Sequence, residues 1–179
     1  MKKVFAVLFS ALLCLGFVPS DAHAQGAAPE LFNVGEIIVN YVKFEDPKAS
    51  DSCGLSREQI SKAFKDAFLG TSVPAMDVVD AKPSMVGVAR IQLFPEISTH
   101  VDENMNCISW ITLSAESRAN VVIQPVSAPR NVTIVYWRQH TKAVSGQSLH
   151  PRKVGDAVSK MAEQFAQRYR VDQPAALQK

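Results

Sequence analysis

The stretch from Cys107 to Gln124, CISWITLSAESRANVVIQ, constrains the fold more than any other part of this chain. It is long, rich in β-branched and aromatic residues, free of Gly and Pro, and bounded by turn-forming residues, which is the composition of a central strand. Flanking strands are expected on both sides. Its first residue is also one of two cysteines that remain once an export signal is removed.

That signal is written at the N-terminus. Met1 to Ala24 has a charged start at Lys2 and Lys3, an apolar run from Val4 to Val18, and a small-x-small site at Ala22, His23 and Ala24. These are the three parts of a secretory signal peptide, and the run is too short for a typical membrane span. Cleavage is expected after Ala24. Cys14 follows Leu13, where lipidation favours a small residue, so an ordinary signal peptide is the better reading. Taking 24 from 179 residues leaves 155, enough for one domain with a core of its own. The expected plan is a signal peptide over 1–24, a flexible leader over 25–33, a single α+β domain over 34–174 and a tail over 175–179.

Removing Lys2, Lys3 and Asp21 from 19 basic and 17 acidic residues leaves 17 against 16. That balance argues against general affinity for nucleic acid or anionic membrane, which demand clustered positive charge. No later segment is apolar enough to span a bilayer, so no integral membrane span is expected. Cys53 and Cys107 are an even pair in an oxidising compartment, which reads as a disulfide. Closing a loop of that length stabilises the fold by roughly 4 kcal/mol on chain-entropy grounds. A redox centre or a metal site lacks support, because there is no C-x-x-C and no His at ligand spacing.

Val34 to Phe44 reads as a strand and Glu45 to Ser52 as a polar loop. Ser56 and Gln59 form an S-x-x-Q capping box, with Leu55 and Ile60 placed as a hydrophobic staple. Ile60, Ala63, Phe64, Ala67 and Phe68 then recur at helical spacing until Gly70. Val73 to Val79 carries Pro74 and suits an edge strand. Val86 to Val101 is a long strand with a bulge or change of face expected at Pro95 and Glu96. Asp102 to Asn106 is a hairpin turn, Gln124 to Arg130 a proline-bearing loop, and Asn131 to Thr141 the last strand. Pro151 opens a final helix with His150 as its cap, and Val154, Val158, Met161, Ala162, Phe165 and Tyr169 form its apolar stripe. The order β-α-β-β-β-β-α predicts an α+β two-layer sandwich: a mainly antiparallel sheet with two helices on one face. The opening β-α-β unit can pair its strands in parallel.

The chain lacks a G-x-S-x-G elbow, an H-E-x-x-H motif, a phosphate loop, a dinucleotide fingerprint and an EF-hand loop, which disfavours most hydrolase, ATPase and zinc-protease readings. No cofactor or metal is expected. His100, Asp102, Glu103, Asn104 and Asn106 could together bind a divalent cation, but Asp and Asn also belong in turns, and the turn reading is preferred. Tyr136, Trp137, Arg138 and His140 form a candidate interface, since aromatics beside Arg often anchor contacts. Trp110 can pair across the sheet with Trp137. Asn131-Val132-Thr133 fits the N-glycosylation pattern but lies on a strand behind a bacterial-looking signal.

The signal peptide, Cys53-Gly54-Leu55, Cys107-Ile108-Ser109-Trp110, Tyr136-Trp137-Arg138, and the run from Gln164-Phe165 through Tyr169 to Asp172-Gln173-Pro174 resemble a group of small exported proteobacterial proteins of uncharacterised function. The resemblance covers most of the mature chain. It implies a Gram-negative periplasm and a structural cysteine pair, and it carries over no catalytic residue.

The leading expectation is a non-enzymatic periplasmic accessory protein that binds an unidentified envelope protein through its sheet face or an edge strand. The alternative is a carrier of a small apolar or lipid-like ligand lined by Phe64, Phe68, Met161 and Phe165. An enzyme with a dispersed site around His100 or His140 comes third, because no nucleophile and base stand at suggestive spacing. No feature of the sequence sets an oligomeric state.

Overall fold

A computed structural model describes residues 31, 34–71, 73–81, 89–122 and 129–173. The expected signal peptide, the expected tail, most of the leader, the first three residues of the strand predicted from Val86, and most of the loop predicted from Gln124 lie outside these residues. Six strands form one mixed sheet: β1 (Val34–Val39), β2 (Lys43–Phe44), β3 (Ala75–Asp77), β4 (Ala89–Val101), β5 (Asn106–Val122) and β6 (Pro129–Gly146). They accompany α1 (Pro47–Ser52), α2 (Arg57–Asp66) and α3 (His150–Asp172). The order across the sheet is β3-β1-β4-β5-β6, and β2 also pairs with β4.

The α+β class and the mostly antiparallel sheet are as expected, and β1 pairs in parallel with β3, as the opening β-α-β unit suggested. The sheet is nevertheless mixed, so the strict two-layer sandwich is corrected: β1 and β2 also run parallel to β4, and only the β4–β5–β6 part is antiparallel. The described residues also hold three α-helices where two were expected. The segment read as a polar loop contains α1, which starts at Pro47 with the Asp46 carboxylate accepting from Ala49 N at 3.0 Å. That is an N-cap followed by proline at the first helical position, a start signal strong enough to order a polar turn.

At α2 the sequence signals match the structure closely. Ser56 Oγ accepts from Gln59 N, and Leu55 and Ile60 are both buried. Ser56 Oγ also donates to Glu58 in the first turn. Gly54, at φ 69° between α1 and α2, adopts a conformation that suits glycine. Cys53 beside it is bonded to Cys107 at the start of β5, with Cα atoms 5.9 Å apart, as parity predicts.

Pro95 produces no bulge. The β4–β5 register runs unbroken through Pro95↔Leu113, and the ladder shifts instead at Ala115/Glu116 against β6. The Leu93 carbonyl accepts from Asn40 N and the Ile97 carbonyl from Glu45 N, so odd-numbered residues of β4 aim their backbone toward β1 and β2. Pro95 lies between them, and its missing N–H therefore faces the gap between β1 and β2. Across that gap the chain takes four steps from Val39 to Lys43 where β4 takes three from Leu93 to Glu96. The extra length carries Tyr41 outward to 50% exposure.

The core lies between one sheet face and the helices. Ile91, Leu93 and Ile97 of β4 and Cys107, Ile111, Leu113 and Ala115 of β5 alternate onto that face. Against them pack Phe64, Val158, Met161 and Phe165, each almost fully buried. Burying a side chain of this size stabilises the fold by roughly 1.5–3 kcal/mol. Leu31, assigned by sequence to the leader, is wholly buried: its N–H donates to Asp172 at 3.2 Å and its carbonyl accepts from Gln173 at 2.6 Å.

Candidate functional site

Among the described residues, the other face of the sheet is uncovered over β4, β5 and β6. Even-numbered residues of β4 and β5 point there, because side chains alternate along a strand. Three cross-strand rows define its centre. Trp110 stands opposite Lys142, whose Nζ lies 5.3 Å from the indole. Thr112 stands opposite His140, with Oγ1 and Nδ1 3.0 Å apart. Ser114 stands opposite Arg138, which donates to Glu116 at 3.3 Å. Trp110 is 48% exposed, although tryptophan is usually well buried. Toward β2, a shallow cavity of about 290 Å³ is lined by Lys43, Phe94, Glu96, Glu116, Arg118 and Thr133, among others.

The structure splits the predicted interface cluster. Arg138 and His140 lie on the open face, whereas Trp137 packs edge-on against Phe165 with ring centroids 5.4 Å apart. Tyr136 is the unpaired residue of the shift between Ala115↔Trp137 and Glu116↔Val135. It packs against the core with its hydroxyl 3.1 Å from Ser117 Oγ. Side-chain alternation along the strand read at Asn131 to Thr141 is therefore interrupted at Tyr136. Trp110 and Trp137 do not pair, since they meet Lys142 and Ala115 respectively.

The four residues proposed to line a ligand space fill the core instead. Phe64 meets Phe68 edge-on at 5.5 Å and Phe68 meets Phe165 at 6.3 Å. The gap among Phe64, Pro95, Leu113 and Met161 has no room for a water molecule. At the β4–β5 turn, the Asp102 carboxylate accepts from Asn104 N, Asn106 N and Asn106 Nδ2 at 2.9, 2.7 and 3.1 Å. Those bonds, the Asn106 amide foremost, hold its carboxyl below the usual range and use the oxygens a cation would need. His100 is exposed on β4 opposite Ile108.

Sequence reasoning missed a buried polar chain. His150 does not cap α3. It is wholly buried, with Nε2 2.8 Å from Ser109 Oγ and Nδ1 3.0 Å from Ser145 Oγ. Ser109 is 2.9 Å from Thr99 Oγ1, to which Ser50 donates at 3.3 Å. Each of these hydroxyls both donates and accepts, so the chain can satisfy both ring nitrogens of a neutral imidazole. Burial pushes the imidazole pKa below its ordinary value, with nearby Lys153 adding to the effect. A serine beside a histidine suggests a nucleophile, but both are sealed from solvent, so the pair tethers α1, β4, β5, β6 and α3 together. The one available signal was Ser109, which falls between Cys107 and Ile111 on the core-facing side of the strand.

A second cavity, of about 510 Å³, lies over α2 between Tyr41, Arg57, Glu58, Lys62 and Lys65. Lys65 pairs with Asp77 and stands 5.1 Å from the Tyr41 ring. Both signs of charge line it. The described residues contain no helix long and apolar enough to cross a membrane, and no group of three or more His, Cys, Asp or Glu able to hold a metal ion.

No protein-family model and no curated protein matches the chain. Among solved structures, one named as a neuraminyllactose-binding hemagglutinin homolog from Helicobacter pylori is similar at 14% identity, covering 75% of this chain and 82% of that one. Its TM-score is 0.32, too low to bear on either fold or function.

Proposed function

We propose that this protein is a non-enzymatic accessory protein of the Gram-negative periplasm that binds another envelope protein through the open face of β4, β5 and β6. The observation that carries this reading is the placement of Trp110, half exposed at the centre of an uncovered three-stranded face, beside Lys142 and one row from His140. An exposed aromatic ringed by polar groups is the composition of an interface hot spot. The Cys53–Cys107 bridge supports an oxidising compartment. The binding reading is preferred to catalysis because the buried Ser109–His150 pair has no route for a substrate.

Photocrosslinking tests it. A benzophenone amino acid placed at Trp110 and expressed in the exporting cell is expected to yield a discrete covalent adduct with one envelope protein, while the same group at Lys62 on α2 yields none. Absence of an adduct from positions 110, 135 and 140 alike would overturn the reading.

A further inference from the structure

The edge of the sheet identifies the partner more closely than its face does. Among the described residues no strand pairs with β6 on the side away from β5. The Val144 carbonyl accepts from Lys153 Nζ at 3.2 Å and so points outward. Residues two apart on a strand aim their backbone the same way, so the N–H and C=O groups of Lys142, His140 and Arg138 also face the edge. A row of three outward donor and acceptor pairs is a template for one kind of ligand, an extended polypeptide.

Charge narrows the class further. All 18 residues of β6 are free of Asp and Glu, while Arg130, Arg138 and Lys142 are basic. On α3, Lys153 reaches the edge at Val144, and Gln164 is held over β6 by Gln139 at 2.6 Å. Lys160 is seven residues from the first and four from the second, hence on the same helical stripe, and is exposed. The edge is thus bordered by Lys142 from the sheet and by Lys153 and Lys160 from α3, while Arg138 is paired with Glu116. A second copy is a poor occupant, because antiparallel pairing of two β6 strands about His140 sets Arg138 directly opposite Lys142, and like charges there repel.

We propose that the outer edge of β6 accepts an extended acidic segment of the partner protein as an added strand, hydrogen-bonded to the main chain of Arg138, His140 and Lys142 and flanked by Lys153 and Lys160. This deepens the binding function proposed above and rests on it. Lys142, Lys153 and Lys160 along this edge select the acidic strand.

The test uses the mature, oxidised protein and three eight-residue probe peptides of alternating Thr with Glu, Gln or Lys. Binding is read by fluorescence anisotropy, and docking by amide hydrogen exchange at residues 138, 140 and 142. The Thr-Glu peptide is expected to bind, to slow exchange at those three amides, and to lose binding when N-methylated at alternate residues, a control that leaves the protein untouched. Lys142→Glu with Lys153→Glu is expected to weaken it roughly tenfold, with the melting curve reporting that the variant folds. The edge assignment is overturned by binding without slowed exchange, by equal affinity for all three peptides, by slowed exchange that appears with protein concentration alone, or by no binding at about 1 mM peptide, the millimolar limit of weak association. An adduct from position 110 alongside a silent edge would leave face binding intact and remove this assignment alone.

Discussion

The two faces of β5 carry the same kinds of side chain with opposite consequences. On the core side, Ser109 meets His150 at 2.8 Å, and two and three rows further along β5 Leu113 and Ala115 are sealed beneath α3. On the open side, Thr112 meets His140 at 3.0 Å, between rows bearing Trp110 with Lys142 and Ser114 with Arg138. A hydroxyl and an imidazole in contact thus occur twice on one strand. Where water is absent the pair must be fully satisfied and acts as a fastener; where water is present it is free to exchange its bonds for those of a partner. Chemical identity decides little here, and the face decides much.

Substitutions test whether the contrast is real. Phe165→Ala, beneath the aromatic cluster, is expected to lose roughly 3–5 kcal/mol in urea unfolding. Replacing Cys53 and Cys107 together by Ser should lose about 4 kcal/mol in the same assay, since it reopens the 54-residue separation. His150→Ala leaves Ser109 and Ser145 without their partner and should lose about 2 kcal/mol. His150 also makes stability pH-dependent. Its pKa is lowered by folding, so the unfolded chain binds the proton more readily; the stabilisation is complete above the ordinary value of 6.5 and falls as pH drops below it. The slope is at most about 1.4 kcal/mol per pH unit, and His150→Phe should flatten it. Trp110→Ala on the open face is expected to change stability by under about 0.5 kcal/mol while abolishing capture of the partner. A loss comparable to that of Phe165→Ala would mean the face is not open.

What the sequence revealed depended on how local each cause was. The α2 start was readable because Ser56, Gln59, Leu55 and Ile60 act within five residues of one another. The disulfide was readable from parity and compartment, which are independent of distance along the chain. The helix at Pro47 also carried a local signal, Asp46 before proline, but its polar composition resembled a loop. Tyr136 and His150 were opaque for another reason. Whether Tyr136 is squeezed out of register depends on β5, and whether His150 is buried depends on Ser109 and Ser145, contacts that exist only once the sheet is assembled. The candidate interface was half readable on the same grounds: the right strand was singled out, while the bulge decided which of its side chains turned inward.

Pro95 acts by what it withholds. A ring closed on its own nitrogen offers no donor to the stretch between Asn40 and Glu45, and along that stretch Tyr41 stands on the molecular surface beside Lys65. Pro95→Val would restore a donor facing residues 41 and 42, which a carbonyl there or a water molecule would have to satisfy. Were a carbonyl of residues 41–42 to turn in and meet it, Tyr41 would be drawn inward and the hollow over α2 would shrink.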